Sequence, residues 1–493
     1  MRSLWILSAA VVVALLPGCA PEAPPLGHRV QSLPEAPTER MSLQSRPDLD
    51  PPLVTLSGPA AGAGADGYFF LAPKDDWSDD EELWAGGLIV DDSGEPVWID
   101  DERKRKYDFR VQTFDGEPVL TWWEGTINPP VALGEVVIMD DTYTEIGRVS
   151  LGGNFGPSTT DVHETTITDD DTMLLIAYAP VQTDLSAIGG PTNGWVYEDV
   201  VQEVDIATGE VLFEWRSLDS IPVTAAKNQI AEGEATREKP FDYLHLNSVT
   251  VDDDDTLLLS ARNTHAIYSL DRNTGDIAWV LGGTDSDFDL DEDAVFGAQH
   301  DAHRQADGTI TLFDNRASAE AGNSRGLRLN LDTDAMTASV VTEYLPPEER
   351  WSISQGNLQE LEGGDVIVGW GSEPYFSRYS RDGELLLEGT YDVESQYRAY
   401  WFDWTAEPAE PPVAAVEDVN GSRTVHVSWN GATEVDQWRV MTGRIADDVS
   451  EVGTVARSGF ETAIELPDTG PHVVVEALDA DGATLASVVA THS

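Results

Sequence analysis

The chain has 493 residues, 41% of them hydrophobic, and 89 acidic against 29 basic residues give a formal net charge of −60. This composition is typical of a globular protein with one large domain and a small one, and the lack of a large basic patch argues against nucleic acid as a partner. Because about 1 M salt shortens the Debye length to roughly 3 Å, such self-repulsion favours a halophilic source over an acidic secreted protein at ordinary salt.

Residues 1–18 predict a lipoprotein signal peptide. Arg2 precedes an apolar stretch over residues 4–16, and LPGC at residues 16–19 is similar to a bacterial lipoprotein processing site. Cys19, the only cysteine, is then the lipidated residue, and a disulfide is impossible. Residues 19–52 are proline-rich and polar, which predicts a tether. We expect an exported protein that is lipid-anchored at the outer membrane or cell surface, or periplasmic, and that meets a membrane only through this anchor.

Residues 53–405 repeat a unit of short apolar runs separated by Gly/Asp turns. Two examples are VQEVDIATGEVLFEWR at 201–216 and IYSLDRNTGDIAWVLG at 267–282. Periods of roughly 40 to 55 residues with four short strands each are typical of β-propeller blades. Six such units fill the segment, so the expected fold class is all-β, with a six-bladed propeller.

Residues 411–493 follow a short linker and form a second region. They contain alternating apolar runs and Trp429, which we expect to be buried. About 80 residues with this pattern suit a small fibronectin-III-like β-sandwich. Its residues show no chemistry, so we expect it to act in spacing or docking.

Three histidines stand at the same point of three repeats. His163, His245 and His300 are each followed by a Thr nine to eleven residues later, at Thr172, Thr256 and Thr309, where the next apolar run opens. A repeated position in the sequence is a repeated place in the fold. If each histidine begins the innermost strand of its blade, all three converge on the propeller axis.

A second set of polar residues has the same register. Six residues after the three threonines stand Tyr178, Arg262 and Asn315. The predicted pocket therefore holds the three histidines and Arg262, with Tyr178, Asn315 and Asn247 as polar neighbours that bind substrate.

Other interpretations remain open for these residues. A single histidine at a strand start is more often a turn or core residue than a functional one, and Arg262 could form a structural ion pair. Three histidines could also bind zinc, but a neighbouring arginine is unfavourable beside a dication. Histidine, arginine and amide donors instead suit an anionic tetrahedral group such as sulfate or phosphate, with no metal.

Several segments together resemble the bacterial arylsulfotransferases, six-bladed propellers that move a sulfuryl group between phenols. They are YLHLNSV at 243–249, SAR at 260–262, QHDA at 299–302, LFDN at 312–315, GNLQ at 356–359 and YRAYWFDW at 397–404. The resemblance covers most of residues 65–405, and SWNGATEV at 428–435 is similar to the tail module of one branch of the family.

The resemblance implies a ping-pong reaction with an aryl sulfate donor and a phenolic acceptor. It makes His300 the nucleophile that becomes sulfohistidine, and His163, His245, Asn247 and Arg262 the other pocket residues. It requires no cofactor, no metal and no nucleotide sulfate (PAPS). The alternatives are a non-catalytic surface propeller that binds an anionic or sulfated ligand, and a quinoprotein dehydrogenase, which also has Trp-rich propeller repeats.

Overall fold

The structure is a computed structural model that describes residues 40–74, 84–252, 256–391, 393–467 and 470–492. The predicted signal peptide, Cys19 and residues 19–39 of the predicted tether lie outside the described residues. Strands dominate the rest, which confirms the predicted all-β class. Within these ranges the helical segments are short 3-10 turns, at Ser186–Ile188, Ser217–Asp219, Val223–Ala225, Glu292–Ala294 and Ala319–Ala321.

None of the helices in the described ranges is long and apolar enough to span a membrane.

The first strands of the described chain form parts of three sheets. In chain order they are β1 (Val54–Ser57), β2 (Tyr68–Lys74), β3 (Leu88–Val90), β4 (Pro96–Ile99), β5 (Tyr107–Phe114), β6 (Glu117–Asn128), β7 (Val131–Met139) and β8 (Glu145–Val149). Strands β5 to β8 form sheet B, in which neighbours in the chain are neighbours in the sheet. The β5–β6 turn carries Asp115 and Gly116 and the β7–β8 turn carries Asp140 and Asp141, whereas the β6–β7 turn is Pro129-Pro130; all of these residue types are typical of tight turns.

Two further sheets repeat this plan. Sheet C contains β9 (Thr165–Ile167), β10 (Thr172–Thr183), β11 (Gly194–Asp205) and β12 (Val211–Arg216), and β13 (Phe241–Asp242) adds to its β11 in parallel. Sheet D contains β14 (Leu246–Val251), β15 (Thr256–Ala261), β16 (Ala266–Asp271) and β17 (Ile277–Gly282).

The next ten strands complete sheets E, F and A. Sheet E holds β18 (Asp289–Leu290), β19 (His300–Arg304), β20 (Ile310–Asp314), β21 (Arg325–Asp332) and β22 (Thr337–Tyr344). Sheet F holds β1 with β23 (Asn357–Glu360), β24 (Val366–Gly369), β25 (Tyr375–Tyr379) and β26 (Leu385–Tyr391). Sheet A joins β27 (Ser395–Phe402) to β2, β3 and β4, so strands from both ends of the region share one sheet.

Each of sheets A to F has one edge strand, here called its first strand whatever its place in the chain, that contacts such strands of neighbouring sheets. Strand β27 contacts β5, β5 contacts β9, β14 contacts β19, β19 contacts β23 and β23 contacts β27, while β10 and β14 link sheets C and D. Apolar side chains fill the space between neighbouring sheets. Leu174, Ile176 and Val201 of sheet C, for example, share one buried cluster with Val249 and Leu259 of sheet D. The starts of the first strands are thereby brought close together.

Residues 413–492 form two more sheets packed face to face. Sheet G contains β28 (Val413–Val419), β29 (Ser422–Ser428), β32 (Glu461–Leu466) and β35 (Thr491–His492). Sheet H contains β30 (Gln437–Ile445), β31 (Asp448–Ala456), β33 (His472–Leu478) and β34 (Thr484–Val489). Trp429 is buried between them as predicted, with Trp438 and Val475 in the same core.

The described end of the predicted tether is packed against the rest of the chain. Leu43 and Leu49 are 5% and 3% exposed and share a core cluster with Phe460. The Ser45 backbone and hydroxyl both donate to the Glu461 carboxylate, at 2.5 Å each. Residues 40–52 of the predicted tether are therefore packed in place, because their two leucines cover an apolar surface.

The two-sheet unit docks on sheets A and B through one tight turn. The Asn430 side chain pairs with both backbone groups of Ile99, at 2.8 Å each, and the Gly431 amide donates to Val97 at 2.8 Å. The Tyr143 hydroxyl donates to the Gly431 carbonyl at 3.0 Å. A Cβ on Gly431 would lie 2.3 Å from the Tyr143 ring, so only glycine allows this approach.

Substitution of Gly431 by alanine should therefore weaken the docking. Gly431 has φ +92° and faces Tyr143, whereas Gly421 has φ +84° with nothing within 4 Å of an added Cβ. We expect Gly421→Ala to cost about 1–2 kcal/mol from backbone strain alone, and Gly431→Ala to cost about 1–3 kcal/mol more from overpacking. Chemical denaturation of the two variants measures the difference, and equal losses would contradict this account of the interface.

Candidate active site

The three predicted histidines lie where first strands begin. His163 is two residues before β9, His245 immediately precedes β14, and His300 is the first residue of β19. These are the first strands of sheets C, D and E, so the sequence register corresponds to an equivalent place in three neighbouring sheets. His245 has φ +58°, a strained conformation for a residue with a side chain, and its carbonyl accepts the Arg262 amide at 2.9 Å.

His163, His245 and Tyr178 are in direct contact. The two imidazole centroids are 4.9 Å apart with an edge-on arrangement, and the Tyr178 ring lies 5.9 Å from His163 and 5.6 Å from His245. The Tyr178 hydroxyl donates to the Leu246 carbonyl at 2.5 Å and lies 3.3 Å from His163 Nδ1. The Tyr178 ring therefore lies against both histidines while its hydroxyl is occupied by protein.

Each of these two histidines has a carboxylate partner. His163 Nδ1 hydrogen-bonds to Asp161, and His245 Nδ1 hydrogen-bonds to Asp242 at 2.6 Å. A carboxylate on Nδ1 keeps the proton there and leaves Nε2 as the nitrogen that faces a substrate. Neither Nε2 has a hydrogen-bond partner among the described residues, and the side chains of His163 and His245 keep 11% and 13% of their surface exposed.

The sequence reasoning did not include these two aspartates. The only signal was an acidic residue two or three positions before each histidine, and in a chain with 89 acidic residues that signal is weak. Burial lowers the pKa of His245 from its ordinary value, although Asp242 opposes the shift. His245 is therefore neutral at neutral pH and able to accept a proton.

His300 is more deeply buried, at 2% exposure. Its Nε2 accepts the Gln355 backbone N–H at 3.1 Å, so Nδ1 carries the ring proton and donates it to Asn315 Oδ1 at 2.7 Å. Burial, and after it the positive charge of Arg262, hold the pKa of His300 well below its usual range. His300 is thus a neutral imidazole with its lone pair on Nε2.

The two predicted amide neighbours act through the protein. Asn315 uses Oδ1 for His300, and its Nδ2 donates to the carbonyls of Ser352 and Gln355 at 3.1 and 2.9 Å. Both ends of its amide are therefore occupied by protein groups, and its Oδ1 orients the His300 ring. Asn247 is fully buried and donates to the Gln299 carbonyl at 2.7 Å, immediately before His300.

Arg262 has no carboxylate within 4.0 Å among the described residues. Its guanidinium donates to Asn263 Oδ1 at 3.1 Å and to the Ile353 carbonyl at 3.2 Å, and the residue is half-buried. Burial lowers the pKa of Arg262, which nevertheless remains a cation. The alternative of a structural ion pair is therefore not what the described part of the chain shows, and the charge is available to an anion.

Arg398 of β27 holds the backbone beneath these residues. It is 2% exposed and donates to Asp108 Oδ1 at 3.0 Å, to the His163 carbonyl at 3.1 Å and to the Asn247 carbonyl at 3.2 Å. It also lies 3.5 Å from Asp301, the residue after His300. One guanidinium thus connects the first strands of five sheets, a role that sequence reasoning missed because it depends on contacts between sheets.

The fold and the site define an all-β protein with a cluster of histidines at the meeting point of its sheets and an arginine that has no carboxylate partner among the described residues. The family model described as arylsulfotransferase (ASST) matches residues 110–392. The chain belongs to this family.

Comparison with individual proteins adds little. No curated protein matches the chain. A protein of unknown function from Bacteroides caccae has 11% identity and a TM-score of 0.41, covering 69% of this chain and 99% of its own. Virginiamycin B lyase from Staphylococcus aureus has 10% identity, TM-score 0.30 and coverages of 76% and 92%. The β-propeller domain of Swd1 from Myceliophteria thermophila has 12% identity and a TM-score of 0.32, covering 65% of this chain and 95% of its own. At these TM-scores none of them carries an argument.

The charge of Arg262 should be measurable at His300. Replacing Arg262 with methionine removes a nearby like charge, so protonation of the imidazole becomes easier and we expect the pKa of His300 to rise by roughly one unit. The ring-nitrogen NMR signals of His300, followed over pH, measure this. Arg237→Met is the control, because Arg237 is exposed and packs on Trp195 instead. An unchanged or lower pKa in Arg262→Met would contradict the proposed electrostatics.

Proposed function

We propose that the protein is a PAPS-independent aryl-sulfate sulfotransferase that moves a sulfuryl group from a phenolic sulfate ester to a phenolic acceptor. The shown family supports aryl sulfotransferase activity in general. His300 carries the finer proposal, because it is a neutral, desolvated imidazole with a lone pair on Nε2, close enough to Arg262 for that charge to lower its pKa. Such a nitrogen can form a covalent intermediate at neutral pH.

In the first half of the proposed reaction, Nε2 of His300 attacks sulfur in line with the departing phenolic oxygen. The N–S bond forms as the S–O bond breaks, and the electron pair of that bond leaves with the phenolate. The Nδ1 proton stays on the ring, shared with Asn315. The Gln355 N–H, released from Nε2, is then placed to donate to a sulfuryl oxygen.

The second half reverses these steps with a new phenol. The acceptor oxygen attacks sulfur while its proton passes to Nε2 of His163 or His245, and the N–S electron pair returns to His300. The histidine then releases this proton to solvent, which balances the proton that the phenolate of the first half takes up from solvent. Sulfuryl transfer, like phosphoryl transfer, spreads charge over the peripheral oxygens. Arg262, which lacks a carboxylate partner in the described chain, neutralises that charge, and the Tyr178 ring offers an apolar face to the aryl group.

We also infer the architecture that was predicted from the sequence. Sheets A to F are the six blades of a propeller over residues 53–405, since each contains four antiparallel strands and their first strands contact one another. Sheets G and H are the fibronectin-III-like module of residues 411–493. In this reading the module contributes docking rather than chemistry.

We further propose that Cys19 is lipidated and anchors the protein at the outer membrane or cell surface, or on the periplasmic side. The supporting feature is the LPGC run at residues 16–19 after an apolar stretch. Expression of Cys19→Ser in a bacterial host should release the protein from the membrane fraction and abolish the mass increase of acylation. An equal membrane-bound share of the two forms would argue against the anchor.

His300→Ala should abolish transfer from a chromogenic aryl sulfate to phenol, with a loss of roughly a thousandfold or more, because the covalent route is lost. Intact mass of the wild type after donor alone should show one added sulfuryl group, which His300→Ala lacks. His426→Ala is the control, because His426 lies in β29 beside Glu461, away from the pocket.

The assays are run over a range of salt concentrations. Transfer that survives in His300→Ala would overturn the assignment of the nucleophile. Donor binding by the wild type without any transferred label would favour the alternative, a non-catalytic propeller that binds an anionic ligand.

A further inference from the structure

Asp199 of β11 is a fully buried carboxyl group with no cation beside it in the described part of the chain. Its exposure is 0%, and no Lys, Arg or His nitrogen lies within 4.0 Å of it in the described ranges. Other buried carboxyls of the molecule are ion-paired, such as Asp108 with Arg398 at 3.0 Å. An ionised carboxylate with no counter-ion is so unfavourable in a protein interior that the group takes up a proton instead.

The hydrogen bonds of Asp199 leave one of its oxygens unused. Oδ1 accepts the Leu246 N–H at 2.7 Å, whereas Oδ2 is buried without a partner among the described residues. Asp242 has the same property. Its Oδ2 bonds to His245 at 2.6 Å, and its Oδ1 is buried without a partner there. Two buried acceptors of this kind satisfy each other only when one of them carries a proton.

The strand register places the two groups side by side. Strand β13 pairs with β11 in parallel, with Asp242 opposite Tyr197. Alternate residues of a strand share a face, so Asp199, two residues after Tyr197, lies on the same face of the sheet. Asp199 is itself paired with Tyr178 of β10, whose ring contacts both His163 and His245.

We propose that Asp199 is a protonated carboxylic acid whose O–H donates a hydrogen bond to Oδ1 of Asp242 and thereby positions His245. The chain of hydrogen bonds runs from the Leu246 amide through Asp199 and Asp242 to Nδ1 of His245. With Oδ1 held by this hydrogen bond, Asp242 aims Oδ2 at Nδ1 of His245. The role of His245 in proton transfer rests on the proposed function, but the proton on Asp199 does not.

The surroundings of Asp199 agree with a neutral group. Burial and, after it, the charge of Asp242 raise the pKa of Asp199 well above its usual range, while the Leu246 N–H opposes the shift. Among the described residues, the titratable groups whose charge acts on it most strongly are acids and phenols: Asp161, Asp242, Tyr178, Tyr243 and Tyr268.

Infrared difference spectroscopy tests the proton directly. Wild type at neutral pH should show the carbonyl stretch of a protonated carboxylic acid, and Asp199→Asn should remove it. Asp314→Asn is the matched control, because Asp314 is equally buried but paired with Arg325 at 3.0 Å and should contribute no such band. A spectrum unchanged by Asp199→Asn would overturn the proposal.

The pH dependence of turnover tests the positioning. Asparagine at 199 still donates to Asp242 and accepts from Leu246, so the profile of kcat/KM should keep its acid limb. In Asp199→Ala no donor shares the negative charge of Asp242, so that charge favours protonated His245 more strongly, and the limb should move up by about one pH unit. Identical limbs in all three proteins would exclude the positioning role.

Two safeguards keep the outcomes separable. If the wild type transfers no sulfuryl group, the proposed function fails while the infrared result still decides on the proton.

If Asp199→Ala does not fold, the stability of Asp199→Asn decides instead. A carboxyl that stays protonated in the fold but ionises in the unfolded chain loses stability as pH rises above about 4. From acid to neutral pH, the urea midpoint of Asp199→Asn should therefore rise relative to that of the wild type. A difference between the two midpoints that does not change with pH would overturn the proposal.

Discussion

A single buried arginine at the meeting point of the sheets determines the rest of the site. Arg398 can be dehydrated only because carboxylates and carbonyls surround it, and three of these acceptors belong to Asp108, His163 and Asn247. Removing one partner of a buried ion pair typically costs about 3–5 kcal/mol. The hydrogen bonds of the guanidinium therefore fix the backbone at the starts of β9 and β14. They thereby fix the positions of the histidines there.

Buried carboxyl groups in this molecule take opposite roles according to what faces them. Burial alone would raise the pKa of Asp108, but Arg110 and Arg398 reverse the effect and lower it. Asp199 has no such cation, so burial and Asp242 raise its pKa. The first case gives a permanent counter-charge that ties sheets together. The second gives a neutral donor next to an imidazole, and the difference is made by neighbours rather than by the residue type.

The sequence predicted those parts of the site that follow from a repeat. Five residues occupy equivalent points of repeated strands: His163, His245, His300, Arg262 and Tyr178. Their spacing in the sequence is therefore enough to predict that they lie close together. Asp161, Asp242 and Arg398 belong to no register, because they act across strands and sheets, and most acidic residues of such a chain are solvated. The function of Asn315 could not be foreseen either, since its amide is occupied by Ser352 and Gln355, which lie far along the chain.

The net charge of −60 and the groups near His300 have opposite effects on the pKa of that histidine, and the effect of the nearby groups prevails. A negative field favours protonated imidazoles, yet the pKa of His300 is lowered, first by burial and then by Arg262. Exposed carboxylates more than a Debye length away are screened, and at about 1 M salt that length is roughly 3 Å. Contacts inside the pocket are not screened in this way. An acidic surface can thus serve solubility in salt while His300 stays a neutral imidazole near Arg262, which has no carboxylate partner in the described chain.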